Sequence, residues 1–318
     1  MGTGIKRGII QSRGLGDIII ALPIARHYWE AGDEIHWPVC EEFYTSVVDS
    51  VPWVKWYSIP ADAQGRFFLE TPLQVFAANG VDPEEALYLY HYLNTVPERT
   101  DPEYFNILKF DQYKYQISGV AFRNKWSLSY CITRDPVREE SLRSALNIGP
   151  GERYALVSLK GSNFEARIDL GWLDHEVRII DVDAHATESI FDWIGLLESA
   201  EAIVCVDSAF ANMTDQLTIE GPTLYWLRRS PWDLTPVLGC SWLFVPTNLP
   251  ITEPTRVDPA AEAAKKAGKS AAGLVSHAPY SAAGQIPTSF MGALNGGRGQ
   301  TASRPNAAQS LLAGLGKR

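Results

Sequence analysis

The feature that most constrains this chain is an alternation of short apolar runs with helical segments, which occurs in two separate blocks. Residues 5–11 (IKRGIIQ) read as a buried strand, 12–17 as a tight turn, and 18–31 as a helix ending at the Gly32-Asp33 break. Residues 34–40 (EIHWPVC) read as a second strand, 41–50 as a helix and 54–59 (VKWYSI) as a third strand. The second block follows an amphipathic run over 135–147. In it, 154–159 (YALVSL), 177–182 (VRIIDV), 202–207 (AIVCVD) and 222–227 (PTLYWL) read as strands, with helices over 189–200 and 208–218. Strands alternating with helices imply an α/β fold with parallel, doubly wound sheets. Two such blocks predict two Rossmann-like lobes, 1–146 and 147–250, with a cleft between them.

Two stretches break this pattern. Residues 64–133 are aromatic-rich, with short helical runs over 84–94 and 102–110. The aromatic run Tyr88-Leu89-Tyr90-His91-Tyr92 suits packing against the first sheet or stacking on a ligand. After Pro250 the chain is dominated by Ala, Gly, Ser, Pro, Asn and Gln, and all ten tryptophans lie before that point. Such a segment buries too little apolar surface to offset the entropy of ordering it. A flexible tail over 251–318 is expected, with one short helix over 259–267.

Bulk composition narrows the function classes. With 318 residues, 46% hydrophobic and 20% charged, the chain is an ordinary globular protein with room for two cores. Its formal net charge of −9 argues against a broad grip on a phosphate backbone, which needs clustered Lys and Arg. Cys40, Cys131, Cys205 and Cys240 are widely spaced among apolar neighbours, with no metal-ligand spacing, and read as buried thiols in a reducing compartment. No run approaches the ~20 apolar residues of a membrane span, and no signal-peptide core precedes the first strand. A soluble, cytoplasmic protein without an integral membrane segment is expected. His27, His36, His91, His175 and His185 are scattered without helical metal spacing, so structural or surface roles are expected for them and no metal site is proposed.

Three segments have the residue types for chemistry. The first is RGLGDIIIALP, 13–23, where Gly14 and Gly16 allow close backbone approach and expose amides at a helix start. Asp17 there is either a functional carboxylate or the N-cap of a helix beginning at Ile18. Ile19 stands where a dinucleotide fingerprint has its third glycine, which disfavours a nicotinamide or flavin cofactor. The second is SLKGSNFEAR, 158–167, at the carboxyl end of a strand. It offers Lys160 as a cation, Gly161 for close approach, and Ser162 and Asn163 for hydrogen bonds to phosphate oxygens; a solvated loop is the alternative. The third is VCVDSAFANMTDQL, 204–217, where Asp207 and Ser208 end a strand and small residues open a helix whose Ala209 to Ala211 amides suit a diphosphate, or simply a capping pair. Arg228-Arg229 follows the last strand of the block and reads either as a phosphate contact or as a solvated pair.

The arrangement of GLGDIIIALPIAR, the Lys/Ser loop, the DSAFAN junction and the following PTLYWL resembles the ADP-heptose:lipopolysaccharide heptosyltransferase family, over roughly residues 5 to 230, with YKYQISGVAFRNKW (113–126) a looser match. That resemblance implies a GT-B type fold with an N-terminal acceptor lobe and a C-terminal nucleotide-sugar lobe. It implies an inverting, metal-independent glycosyltransferase using a nucleotide-diphosphate sugar as substrate and no cofactor. Asp17 would be the general base, with Lys160, Ser162, Asn163, Asp207, Ser208, Ala209 and Asn212 around the donor and Gly14 and Gly16 shaping the acceptor side. The family's junction carries glycine and histidine where this chain has Ala209 and Asn212, which leaves the donor's identity open. A glycan or lipid-linked glycan acceptor follows from the resemblance. The alternatives are a hydroxylated DNA base as acceptor, or a non-catalytic binding or assembly protein that keeps the fold.

Overall fold

The computed structural model describes residues 4–62, 64–90, 108–162, 165–228 and 235–245. Expectations for the tail over 251–318 and its helix, for His91 and Tyr92, for Asn163, and for Arg229 all fall outside those residues. The first sheet contains β1 (Lys6–Ile10), β2 (Glu34–Cys40), β3 (Lys55–Ile59) and β4 (Leu87–Tyr88), in the order β3-β2-β1-β4, and every pair is parallel. The second contains β5 (Tyr154–Ser158), β6 (Arg178–Asp181), β7 (Ala202–Val206), β8 (Thr223–Leu227) and β9 (Trp242–Phe244), in the order β6-β5-β7-β8-β9, again all parallel. The α/β class and the parallel sheets predicted from the alternation are therefore present. β9 completes the second sheet beyond the segments read from sequence.

The helices are α1 (Leu15–Glu30), α2 (Glu41–Val48), α3 (Glu70–Asn79), α4 (Phe110–Ser118), α5 (Pro136–Ala145), α6 (Ile194–Ser199) and α7 (Ala209–Gln216). α5 starts as its sequence dictates: Asp135 accepts hydrogen bonds from the Val137 and Arg138 amides, and Pro136 occupies the first turn, where its missing N–H costs nothing. The helical run expected over 84–94 is not formed in its described part. A single 3₁₀ turn, Pro83–Glu85, gives way to β4. The reason is pairing: Ile9 and Ile10 of β1 lie against Leu87 and Tyr88, and a strand there satisfies the edge of β1.

α1 determines how the two sheets come together. Its residues Ile18 to Ala25 are all buried, so the run IIIALPIA has no solvent face. A helix that is apolar all round belongs inside a core. One continuous cluster of buried side chains includes Ile18, Ile20 and Leu22 of α1, Ile9 and Val39 of the first sheet, and Leu156, Ile203 and Trp226 of the second. Both sheets accordingly belong to one compact unit, Met1–Ala260, and share a core.

A buried polar cluster fastens the 235–242 segment beneath α4. Lys125, fully buried, donates to Asp111 Oδ2 at 2.8 Å and to the carbonyl of Val237, and lies 3.9 Å from Asp215 Oδ2. Asp215 accepts from the Gly239 and Cys240 amides and from the indole N–H groups of Trp126 and Trp242. A β-carbon at Gly239 would lie 1.9 Å from Trp126 Nε1, so only glycine fits.

Candidate active site

In both sheets the strand order reverses once, and several of the candidate residues gather at those reversals. In the first sheet the reversal lies between β1 and β4, in the second between β5 and β7. Connections leave in opposite directions at such a point, which opens a crevice at the carboxyl ends of the strands.

At the first reversal, α1 begins at Leu15, three residues before the expected start. Gly14 is the N-cap residue with φ +82°, and no side chain caps the helix. The Asp17 carboxylate therefore does not act as an N-cap. It sits in the first turn, and its Oδ1 pairs with Lys114 Nζ at 3.1 Å. Lys114, on α4, is buried and donates to Gln11 Oε1 at 2.6 Å and to the Leu89 carbonyl at 3.2 Å. Gln11 follows β1 and Leu89 follows β4, so the ammonium plugs the crevice between those strands. Gln11 is itself held by donating to the Arg13 carbonyl at 2.7 Å. The Arg13 amide donates to Tyr90 Oη at 2.7 Å, and burial raises the Tyr90 phenol above its ordinary range. Ser12 Oγ is buried and has no hydrogen-bond partner among the described residues.

At the second reversal, a cleft of about 250 Å³ is lined in part by Ser158 at the end of β5 and Lys160 beyond it, Asp183, His185 and Thr187 beyond β6, and Ser208 and Ala209 beyond β7. Ser208 caps α7, its Oγ accepting from the Ala211 amide at 3.3 Å. The Lys160 side chain is exposed while its backbone is anchored. The Leu159 and Lys160 amides both donate to Asp183 Oδ2, at 2.6 and 2.8 Å, and Ser158 Oγ donates to Oδ1 at 3.2 Å. Burial nonetheless raises the Asp183 carboxyl above the usual carboxylate range, with those hydrogen bonds acting the other way. Asp183, His185 and Thr187 are cleft residues that the sequence motifs did not single out.

The two reversals meet. A β-carbon placed on Gly16 would lie 3.3 Å from Asn212 Nδ2 and 3.4 Å from the Ala209 α-carbon, so the start of α1 packs against the start of α7. Leu15 lines the same cleft as Lys160 and Ser208. Asn212 contributes to this contact: it is buried, its amide donates to the Ser208 carbonyl at 2.9 Å, and its Oδ1 has no partner among the described residues. Lys160, Ser208 and Ala209 are therefore brought together, Gly14, Gly16 and Asp17 lie beside them across the helix contact, and Ser162 and Asp207 are not among the cleft's lining residues. Among the described residues no three His, Cys, Asp or Glu side chains converge as a metal site, and no helix is long and apolar enough to cross a membrane.

No family model matches the chain, and no curated protein matches it by sequence. Among solved structures it is similar to a family 9 glycosyl transferase from Veillonella parvula, at 10% identity over 85% of this chain and 91% of that one, TM-score 0.45. It is likewise similar to the E. coli ADP-heptose lipopolysaccharide heptosyltransferase II, at 12% identity over 76% and 91%, TM-score 0.46. A third similar structure is an E. coli heptosyltransferase with ADP, at 10% identity over 82% and 99%, TM-score 0.44. Two of these three are heptosyltransferases by name, as is the family that the sequence motifs resemble.

Proposed function

We propose that the protein transfers a sugar from a nucleotide-diphosphate donor to an acceptor hydroxyl, with inversion and without a metal. The observation that supports this most is the contact between the two strand reversals. It sets a half-exposed carboxylate, Asp17, in the turn of α1 that meets α7. Leu15, two residues before it, lines the cleft edged by the Lys160 cation and the capped start of α7. Inverting transfer needs that polarity, a base toward the acceptor and positive or dipolar stabilisation toward the leaving group.

In the step, the acceptor O–H proton passes to Asp17 and the acceptor oxygen bonds to the anomeric carbon. The bond from that carbon to the phosphate oxygen breaks, and its electron pair leaves on the diphosphate. Lys160 and the amides opening α7 offset the charge gained there. Ser162, Asn163 and Asp207 are assigned to donor binding from the sequence motif, and Asn212 acts by holding the helix contact. One carboxylate suffices for this chemistry, whereas glycoside hydrolysis uses a flanking pair. A glycan or lipid-linked glycan is the proposed acceptor. A non-catalytic role would suit an Asp17 consumed in capping bonds, and the carboxylate makes none.

The test is thermal unfolding against a panel of ADP-, UDP-, GDP- and dTDP-sugars. A donor at a hundred times its Kd stabilises the fold by about 2.7 kcal/mol. Lys160→Ala, a change at an exposed side chain, should weaken that stabilisation without lowering the unliganded midpoint. Absence of any donor response would refute the reading.

A further inference from the structure

Lys114 has no role in the motifs, yet its surroundings are specified atom by atom. The Lys114 ammonium donates to Gln11 Oε1 and to the Leu89 carbonyl and forms an ion pair with Asp17 Oδ1 at 3.1 Å. With its head buried among these groups, it is closed to a substrate. Its influence on a reaction must pass through Asp17.

The two oxygens of Asp17 are correspondingly unlike. Oδ1 is tied to the ammonium. Oδ2 takes no hydrogen bond among the described residues and lies 2.8 Å from where a β-carbon on Gly14 would stand. Gly14, at φ +82°, thus leaves uncovered the oxygen that any larger residue would crowd. Because Gln11 and Leu89 follow β1 and β4, the ammonium is referenced to the sheet and carries the carboxylate with it.

We infer that Lys114 is a positioning residue that clamps Oδ1, so that Oδ2 of Asp17 is the atom that receives the acceptor proton. This rests on the proposed transfer reaction, but the clamp is a structural statement that stands or falls separately. A misplacement of about 1 Å at a reacting group can cost on the order of 10²-fold in rate.

The test uses the full chain with Lys114→Met and, as a second variant that keeps hydrogen-bond donors, Lys114→Gln. Crystal structures of both variants give the orientation of Asp17 whether or not turnover is found. The clamp predicts a rotated or disordered carboxylate in Lys114→Met. With a donor identified from the nucleotide-sugar panel, kcat for transfer should fall by about 10²-fold in Lys114→Met and less in Lys114→Gln, while donor Kd stays within twofold of wild type. An Asp17 carboxylate in its original place in the Lys114→Met crystal, or a folded Lys114→Met with kcat within threefold of wild type, would overturn the inference. A wild-type protein inert toward every donor would instead count against the transfer reaction, with the crystallographic arm still deciding the clamp. Should Lys114→Met not fold, Lys114→Gln and its crystal structure carry the same decision.

Discussion

Replacing Lys125 with methionine removes the ammonium that neutralises a buried acidic cluster. The two carboxylates concerned are not equally dependent on it. Asp215 keeps two backbone amides and two indole N–H groups. Asp111 keeps only the Val237 amide on Oδ2, and its buried Oδ1 has no partner among the described residues. The cost of Lys125→Met should therefore come mainly from Asp111. Breaking a buried pair by deleting one partner costs about 3–5 kcal/mol. At about 2–4 °C per kcal/mol for a unit of this size, the unfolding midpoint should drop by roughly 6–20 °C. Adding Asp111→Asn should recover part of that loss, because a neutral amide needs no counter-charge. Urea titration followed by circular dichroism measures each variant and the coupling between them. A single-variant loss under about 1 kcal/mol, or a double variant less stable than Lys125→Met, would refute this assignment. Since α4 carries both Asp111 and Lys114, the cluster also helps hold the helix that supports Asp17.

Gly239→Ala would drive a methyl into the Trp126 indole and break its bond to Asp215, so it should destabilise the fold and shift tryptophan emission; an unchanged spectrum and midpoint would contradict the packing. Gly14→Ala places a side chain at φ +82° and against Asp17 Oδ2, with a backbone cost of about 1–2 kcal/mol and a loss of transfer exceeding that cost; full turnover would show that Oδ2 is not the working oxygen. Burial pushes the thiols of Cys40 and Cys131 up to about 12 and that of Cys240 to about 11, and raises Cys205 well above the ordinary range. All four should resist a thiol reagent at pH 8 until the chain unfolds, and rapid labelling of the folded protein would contradict this. His36, buried between Tyr57 and Glu34, has its imidazole lowered from 6.5, first by burial and against the bonds from Glu34. Its neutral form is favoured by folding, so its stabilising contribution is full above 6.5 and fades as pH falls through the lowered value. His36→Gln should flatten the decline in stability on acidification, and parallel curves for the two proteins would refute the assignment.

Most of the strands were legible because each is a run of apolar residues between turn signals, as in EIHWPVC and AIVCVD. The start of α1 was displaced because Leu15, Gly16 and Asp17 show no apolar period, and because the N-cap position is a glycine held by backbone conformation alone. β4 was concealed for a different reason: its two residues become a strand by pairing with β1, a contact that no local pattern encodes. Lys114 was the least visible of the site residues. Lysine is seldom buried, so in FDQYKYQIS it reads as a solvated position, and its three partners come from distant parts of the chain. Asp183 was obscured likewise, since its partners Ser158, Leu159 and Lys160 precede it by more than twenty residues. The motifs located the two strand reversals; the side chains that hold the motifs in place came only with the fold.

The most direct test is the rate of nucleotide diphosphate release with sugar transfer, measured for wild type and Asp17→Asn with the donor that best stabilises the fold and an isolated cell-envelope glycan as acceptor. The account predicts transfer by wild type, a loss of at least about 10²-fold in Asp17→Asn, and unchanged donor affinity. Equal rates in the two proteins would remove Asp17 from the chemistry, and with it the proposed division of labour between the two strand reversals.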